Sequence, residues 1–254
     1  MKLSAQQRLR YSRQLALPEI GAAGQSRLAD CRVLVVGAGG LGCPAALYLA
    51  AAGLGTLGIA DSDTVELSNL QRQILHGTED VGRLKVVSAA RALRRLTPDI
   101  CLTLHPVRLH SANALDLLAP YEFVVDATDN FASKFLIADA CHAAGKAYVH
   151  AGIQAFRGQV MTVIPKTTAC VRCLFQAPPA DASAPPAGPL GAVPGVIGTI
   201  QATEAVKYLL GCGTLLTNRL LIWDALTARV REVPVSRSPD CPLCGSLPVP
   251  APPG

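Results

Sequence analysis

Between Val33 and Ala60 the chain carries no charged side chain, yet it holds seven glycines and Pro44. By length alone that stretch could cross a membrane, which takes about 20 apolar residues. Glycines at this density, with a proline among them, break such a helix, so a strand–turn–helix–strand unit explains it better. The β-branched run RVLVV (32–36) predicts a strand buried on both faces, and such a strand reads as a continuous apolar run. VGAGGLG follows at once and sets Gly37, Gly39 and Gly42 at the G-x-G-x-x-G spacing. A helix opens near Leu41, and TLGIAD (56–61) is the next strand, closed by Asp61. A chain with this unit is committed to a parallel sheet.

The remaining sequence extends that pattern. Helical periodicity is expected over 5–30, 83–96, 111–118, 132–144 and 199–211. Strands are expected at 100–107, 122–127 and 147–153. Alternation of strand and helix predicts an α/β fold with a Rossmann-like, doubly wound, mainly parallel sheet. From residue 158 the texture changes. GQVMTVI, RLLIWDA and ARVREVPV read as antiparallel strands, giving the sheet an antiparallel C-terminal portion. Residues 177–195 hold six prolines and are expected to be a loop, while the tail PVPAPPG (248–254) is expected to be disordered.

Half of the 254 residues are apolar and 16% are charged, so a sizeable core is expected. The net charge of +5 comes largely from scattered arginines, as in RALRRL (91–96), with no basic tract interleaved with aromatics. Nucleic acid is therefore not expected as a partner, and neither is a membrane. The N-terminal MKLSAQQRLRYSRQLAL lacks an apolar core beside a small-residue cleavage site, so a cytoplasmic location is expected.

A G-x-G-x-x-G turn after a strand lets the backbone approach a phosphate at a helix N-terminus. Asp61, about 20 residues on, stands where an acid binds a ribose hydroxyl in dinucleotide folds. These features fit either NAD or ATP. SNLQRQ (68–73) favours ATP: Asn69, Arg72 and Gln73, with Lys85 downstream, offer amides, a forked donor and a point charge suited to a triphosphate. Asp129 and Asn130 fall in the turn after the strand at 122–127, where a carboxylate could hold Mg²⁺ together with phosphates. The bland readings are a surface salt bridge for Arg72 and a helix N-cap for Asp129.

Of nine cysteines, four form CVRC (170–173) and CPLC (241–244). Cys170, Cys173, Cys241 and Cys244 make a soft ligand set for a closed, structural Zn²⁺ site. The pairs lie farther apart than the usual zinc-ribbon loop of about 15–20 residues, so the metal would staple distant segments. A redox CxxC is the alternative. The other five cysteines read as small buried hydrophobes.

RYSRQ (10–14), VVGAGGLG (35–42), DSDTVELSNLQRQ (61–73), GRLKV (82–86), DATDN (126–130), CVRC, GVIGTIQATEAVKYLLG (195–211) and CPLC together resemble the ThiF/MoeB/HesA family. These are bacterial relatives of ubiquitin-activating enzymes. The resemblance implies a single adenylation domain over 1–254: an N-terminal helical region (1–30), a nucleotide-binding part (31–157) and a carrier-binding and zinc part (158–247). It implies a homodimer that uses ATP and Mg²⁺ to adenylate the C-terminal Gly-Gly of a ubiquitin-like sulfur-carrier protein. By the same resemblance Gly40 and Asp61 contact the nucleotide, and Ser68, Asn69, Leu70, Gln71, Arg72 and Lys85 line the phosphates. Asp129 and Asn130 lie at the magnesium, and Arg13 reaches into the partner's site.

Relatives often carry a cysteine in the crossover loop, here 177–195. Alignment on GPLGAVPGVIG puts Ala184 at that position, and no cysteine occurs between Cys173 and Cys212. Activation without an enzyme-bound thiol is therefore expected, which leans toward the MoeB-type, molybdopterin-synthase role on a MoaD-like carrier. The alternatives are a ThiS-like carrier of thiamine biosynthesis or another sulfur carrier, a nicotinamide oxidoreductase, and a non-catalytic binding module.

Overall fold

The computed structural model describes residues 3–176 and 188–245. Ala184 and the expected disordered tail fall outside the described residues.

One eight-stranded sheet organises the chain, in the order β3-β2-β1-β4-β5-β6-β7-β8. The parallel strands are β1 (Arg32–Val36), β2 (Thr56–Ala60), β3 (Cys101–His105) and β4 (Phe123–Asp126), joined by the first part of β5 (Ala147–Gln154). Strands β6 (Arg157–Val163), β7 (Arg219–Asp224) and β8 (Arg229–Pro234) continue it antiparallel. The expected α/β architecture and its antiparallel C-terminal portion are both present.

Alternate residues of the central strands feed two cores. On one face Val33, Val35, Leu57, Ile59 and Val125 pack under α4 (Gly42–Ala51), α5 (Lys85–Leu96) and α9 (Ala192–Leu210). On the other, Leu34, Val36 and Val124 pack under α6 (Ser111–Leu118) and α7 (Phe131–Ala144). A strand covered on both faces has no solvent face to display polar residues, which accounts for the charge-free run.

Two helix boundaries depart from expectation. The N-terminal region is three short helices, α1 (Ala5–Arg10), α2 (Ser12–Leu15) and α3 (Gly21–Asp30), rather than one. Pro18 and Gly21, whose φ is +56°, interrupt it before α3. The helix expected from 199 starts at Ala192, so residues 192–195 belong to α9 and not to the crossover loop. Pro194 is compatible with this start, because it stands in the first turn of the helix, where the missing N–H has no intrahelical partner to lose. No helix among the described residues is long and apolar enough to cross a membrane.

Candidate nucleotide site and metal centre

Strands β2 and β3 run outward from β1 on one side, and β4 and β5 on the other. The order reverses between β1 and β4, and ligands in open α/β sheets bind at such a switch point, beyond the carboxyl ends of the strands. A cavity of about 520 Å³ lies there. Its walls come from the turns after β1 (Gly37, Gly39, Gly40), β2 (Asp61, Asp63), β3 (Val107, Arg108) and β4 (Thr128, Asp129, Asn130), joined by Arg72, Gln73 and Lys85.

The glycines serve different ends. Gly37 has φ +100°, and a Cβ there would lie 2.7 Å from the Ala127 carbonyl oxygen. A Cβ on Gly42 would meet the Gly37 carbonyl oxygen at 1.8 Å, so Gly42 closes the turn and does not line the cavity. Gly40 is crowded by Pro194 and Arg72. Gly39 is different: a Cβ would find only Gln73 Nε2, at 3.8 Å. Nothing among the described residues demands glycine there, whereas a phosphate approaching the backbone would.

The turn itself is clamped at Ala38. Its N–H donates to Asp61 Oδ2 (2.7 Å). Its carbonyl accepts from His76 Nε2 (3.0 Å) and from the Cys43 thiol (3.4 Å). Burial lowers the His76 pKa, against the opposing pull of the Ala38 bond. The neutral ring that donates to Ala38 presents Nδ1 to Ser88 Oγ at 2.8 Å. His76 has no motif spacing to announce it.

Lys85 opens α5 and reaches the cavity because the segments around it are stitched together. Val65 donates to Arg83, Gly82 to Val65, and the Lys85 N–H to the Asp63 carbonyl (2.9 Å). Its Nζ also pairs with Asp63 Oδ2 at 2.8 Å. Asp63 was not singled out in the sequence, although it lies within DSDTVELSNLQRQ.

The opening residues of SNLQRQ lie beside the cavity rather than in its wall. Asn69 is buried, and its Oδ1 accepts the Glu66 N–H, holding a 3₁₀ turn at Leu67–Asn69. Ser68 bonds Glu66, and the Gln71 carbonyl packs against Gly191 at the start of α9. Ser68, Asn69, Leu70 and Gln71 therefore form a platform that delivers Arg72 and Gln73. Arg72 donates to the Ser68 carbonyl (3.1 Å) and pairs with no carboxylate among the described residues, so it is not a surface salt bridge. Asn130, not Asp129, caps α7, accepting the Ser133 N–H at 2.9 Å.

Asp129 is exposed at the cavity and has no cationic partner among the described residues. Its Oδ1 accepts from Asn130 Nδ2 at 3.3 Å, and one carboxylate without a cation beside room for phosphates fits the usual protein share of a Mg²⁺ site. Arg13 is elsewhere. It is exposed on α2, whose neighbouring Gln14 bonds the Ala52 carbonyl at the far end of α4.

The four paired cysteines converge. Cys170 precedes α8 (Val171–Leu174) and Cys173 lies within it, their sulfurs 3.7 Å apart; Cys170 meets Cys241 at 3.5 Å and Cys173 meets Cys244 at 3.4 Å. All four sulfurs lie within 4.8 Å of one another. Zn–S bonds of about 2.3 Å in a tetrahedron give sulfur separations of about 3.8 Å, so the cluster fits zinc with no open position. Of the lone cysteines, Cys31, Cys43 and Cys141 are buried as expected, whereas Cys101 is exposed and Cys212 half-buried.

A model of the ThiF family matches residues 11–243. The sulfur carrier protein adenylyltransferase of Thermus thermophilus is 47% identical over 94% of this chain and 91% of that protein. The SAMP-activating enzyme E1 of Haloferax volcanii is 46% identical over 96% of this chain and 92% of its own length. The adenylyltransferase and sulfurtransferase MOCS3 of Sus scrofa is also 46% identical, but this chain spans only 55% of it. In fold, E. coli MccB with ATP is similar at a TM-score of 0.82, over 93% of this chain and 75% of that one, with 24% identity.

Proposed function

The chain belongs to the ThiF family, and from that premise we propose that it adenylates the C-terminal glycine carboxylate of a ubiquitin-like sulfur-carrier protein, releasing pyrophosphate. It is a nucleotidyltransferase that uses ATP. The observation that carries the reading is the convergence, in one cavity, of a glycine turn, the cationic side chains of Arg72, Lys85 and Arg108, and the Asp129 carboxylate, which has no cationic partner among the described residues.

The attacking group is a C-terminal carboxylate, whose ordinary pKa is about 3.3–3.7, so it is ionised at neutral pH and needs no general base. The task is to bring an anion to an anionic triphosphate. The turn at Gly39 and Gly40 presents backbone to the phosphates at the N-terminus of α4. Lys85 and Arg72 offset charge as the bond to pyrophosphate breaks. Asp61 holds the ribose, and Asn130 orders the turn that carries Asp129. Asp129 is the residue that would hold a magnesium ion, which would supply further neutralisation of the developing charge.

Arg13 supports a homodimeric form. Within its own chain it sits beyond the far end of α4, a ten-residue helix about 15 Å long. Only a second protomer would bring it to a nucleotide. The cysteine cluster serves as a structural zinc site that ties α8 to the loop at 241–244. With no cysteine between Cys173 and Cys212, the product leaves as acyl-adenylate for another protein to sulfurate. That favours a MoaD-like carrier and molybdenum cofactor biosynthesis over a ThiS-like carrier.

The test is incorporation of labelled pyrophosphate into ATP with Mg²⁺, with MoaD-type and ThiS-type carriers ending in Gly-Gly supplied separately. Exchange with the MoaD-type carrier alone is expected. Exchange only with the ThiS-type carrier would move the assignment to thiamine biosynthesis, and none with either would overturn it.

A further inference from the structure

Beneath the cavity floor lies a charged cluster that makes no contact with the space a nucleotide would fill. Asp126, the last residue of β4, is fully buried. Its Oδ1 accepts from the Thr128 N–H (3.2 Å) and Thr128 Oγ1 (2.6 Å), and its Oδ2 from His150 Nδ1 (3.0 Å). The buried Lys134 ammonium, on the first turn of α7, lies 3.4 Å from Oδ2 and donates to the carbonyls of Thr128 and Ala151, both at 2.6 Å. All three of its protons are thus engaged. Thr128 is gripped from both sides, its N–H and hydroxyl by Asp126 and its carbonyl by Lys134. The next residues along the chain are Asp129 and Asn130.

His150 is the informative member. It is 1% exposed, and its Nε2 has no hydrogen-bond partner among the described residues. Burial lowers its pKa against the opposing pull of the Asp126 hydrogen bond. The ring is therefore neutral, donating through Nδ1 to Asp126, with the Phe175 ring edge-on to it at 6.4 Å between centroids. An orphaned buried acceptor is a standing cost to stability that a phenylalanine would not carry. Lys134 already balances the Asp126 charge, so the fold does not require a third polar group there. What the imidazole adds is direction: it fixes one oxygen of Asp126 so that the other faces Thr128.

We propose that Asp126, Lys134 and His150 form a positioning network that holds the 127–130 turn in the geometry adenylation needs. This rests on the adenylation reading and extends it to residues that touch neither ATP nor carrier. A purely architectural cluster would affect stability alone. A positioning network affects the chemical step, because a misplacement of about 1 Å costs on the order of 100-fold in rate.

The experiment compares the full-length wild type with His150→Phe and His150→Asn, the latter keeping a donor near Nδ1. Zinc content, melting temperature, steady-state pyrophosphate exchange and amide hydrogen exchange of 127–130 are measured in each. In the free wild type the Thr128 amide is expected to exchange slowly. In His150→Phe it speeds up and kcat falls about tenfold or more, with melting temperature and zinc unchanged, while His150→Asn recovers most of both. An unprotected wild-type Thr128 amide overturns the network without recourse to any variant. So does an unchanged kcat in His150→Phe, a loss that tracks the melting temperature, or a failure of His150→Asn to rescue. Absence of exchange in the wild type would instead count against the adenylation reading, which the amide measurement does not depend on.

Discussion

At the scale of single residues, the site separates groups that meet a ligand from groups that aim them. Lys85→Ala removes a cation opposite the developing charge and should lower exchange about 100- to 1000-fold, the usual cost of one preorganised donor. Asp63→Asn should cost no more than about fivefold, because its carboxylate is 67% exposed and its pairing with Lys85 is screened. Equal losses in the two variants would make Asp63 part of the chemistry. Gly39→Ala makes a sharper distinction: the methyl has room in the protein, so the melting temperature should hold while ATP affinity, read by calorimetry, falls at least tenfold. Unchanged affinity would mean that no phosphate lies against Gly39. Arg72, Lys85, Asp61 and Asp129 were legible in sequence because each sits at a fixed offset from a strand end or inside a specific motif. Asp63, His76 and Lys134 were not, since their partners are far away in the chain and only the fold brings them together.

At the scale of elements, periodicity and turn chemistry placed every strand, and the errors came from prolines. Pro18 interrupts the single helix expected over 5–30, and Pro194 occupies the first turn of α9 although the proline-rich run 177–195 predicts a loop. A proline's position within its helix decides between these, and spacing alone does not reveal it. SNLQRQ has no periodicity because most of it is scaffold: Asn69 and Gln71 hold the segment so that Arg72 and Gln73 reach the cavity. The helix α8 has only four residues, too few to persist by its own hydrogen bonds; the Arg172–Asp139 ion pair and the buried Val171 help to hold it, and we propose that zinc at the cysteine cluster does the rest. Cys244→Ser should reduce bound zinc, measured by atomic absorption, from about one per chain to near zero. It should also lower the melting temperature by about 10 °C or more. Retained stability without metal would mean that packing alone secures this segment.

At the scale of the whole molecule, one sheet does two jobs. Its parallel part ends in the turns that form the candidate nucleotide cavity, and its antiparallel part extends the same sheet toward the cysteine cluster. The order reversal between β1 and β4 locates the cavity before any side chain is considered. The proposed dimer belongs to this scale too. If Arg13 serves a partner's site, mixing Arg13→Ala with Lys85→Ala protomers under exchange conditions should restore activity, since one site of each heterodimer regains both residues. No recovery, with heterodimers demonstrated, would place Arg13 outside the reaction. The central claim is that this chain activates a carrier carboxylate and holds no covalent carrier of its own. Intact-mass spectrometry after one turnover with ATP, Mg²⁺ and a MoaD-type carrier tests it most directly. The account predicts a carrier heavier by one adenylyl group and an enzyme of unchanged mass; an enzyme bearing the carrier as a thioester, or an unmodified carrier beside bound ATP, would contradict it.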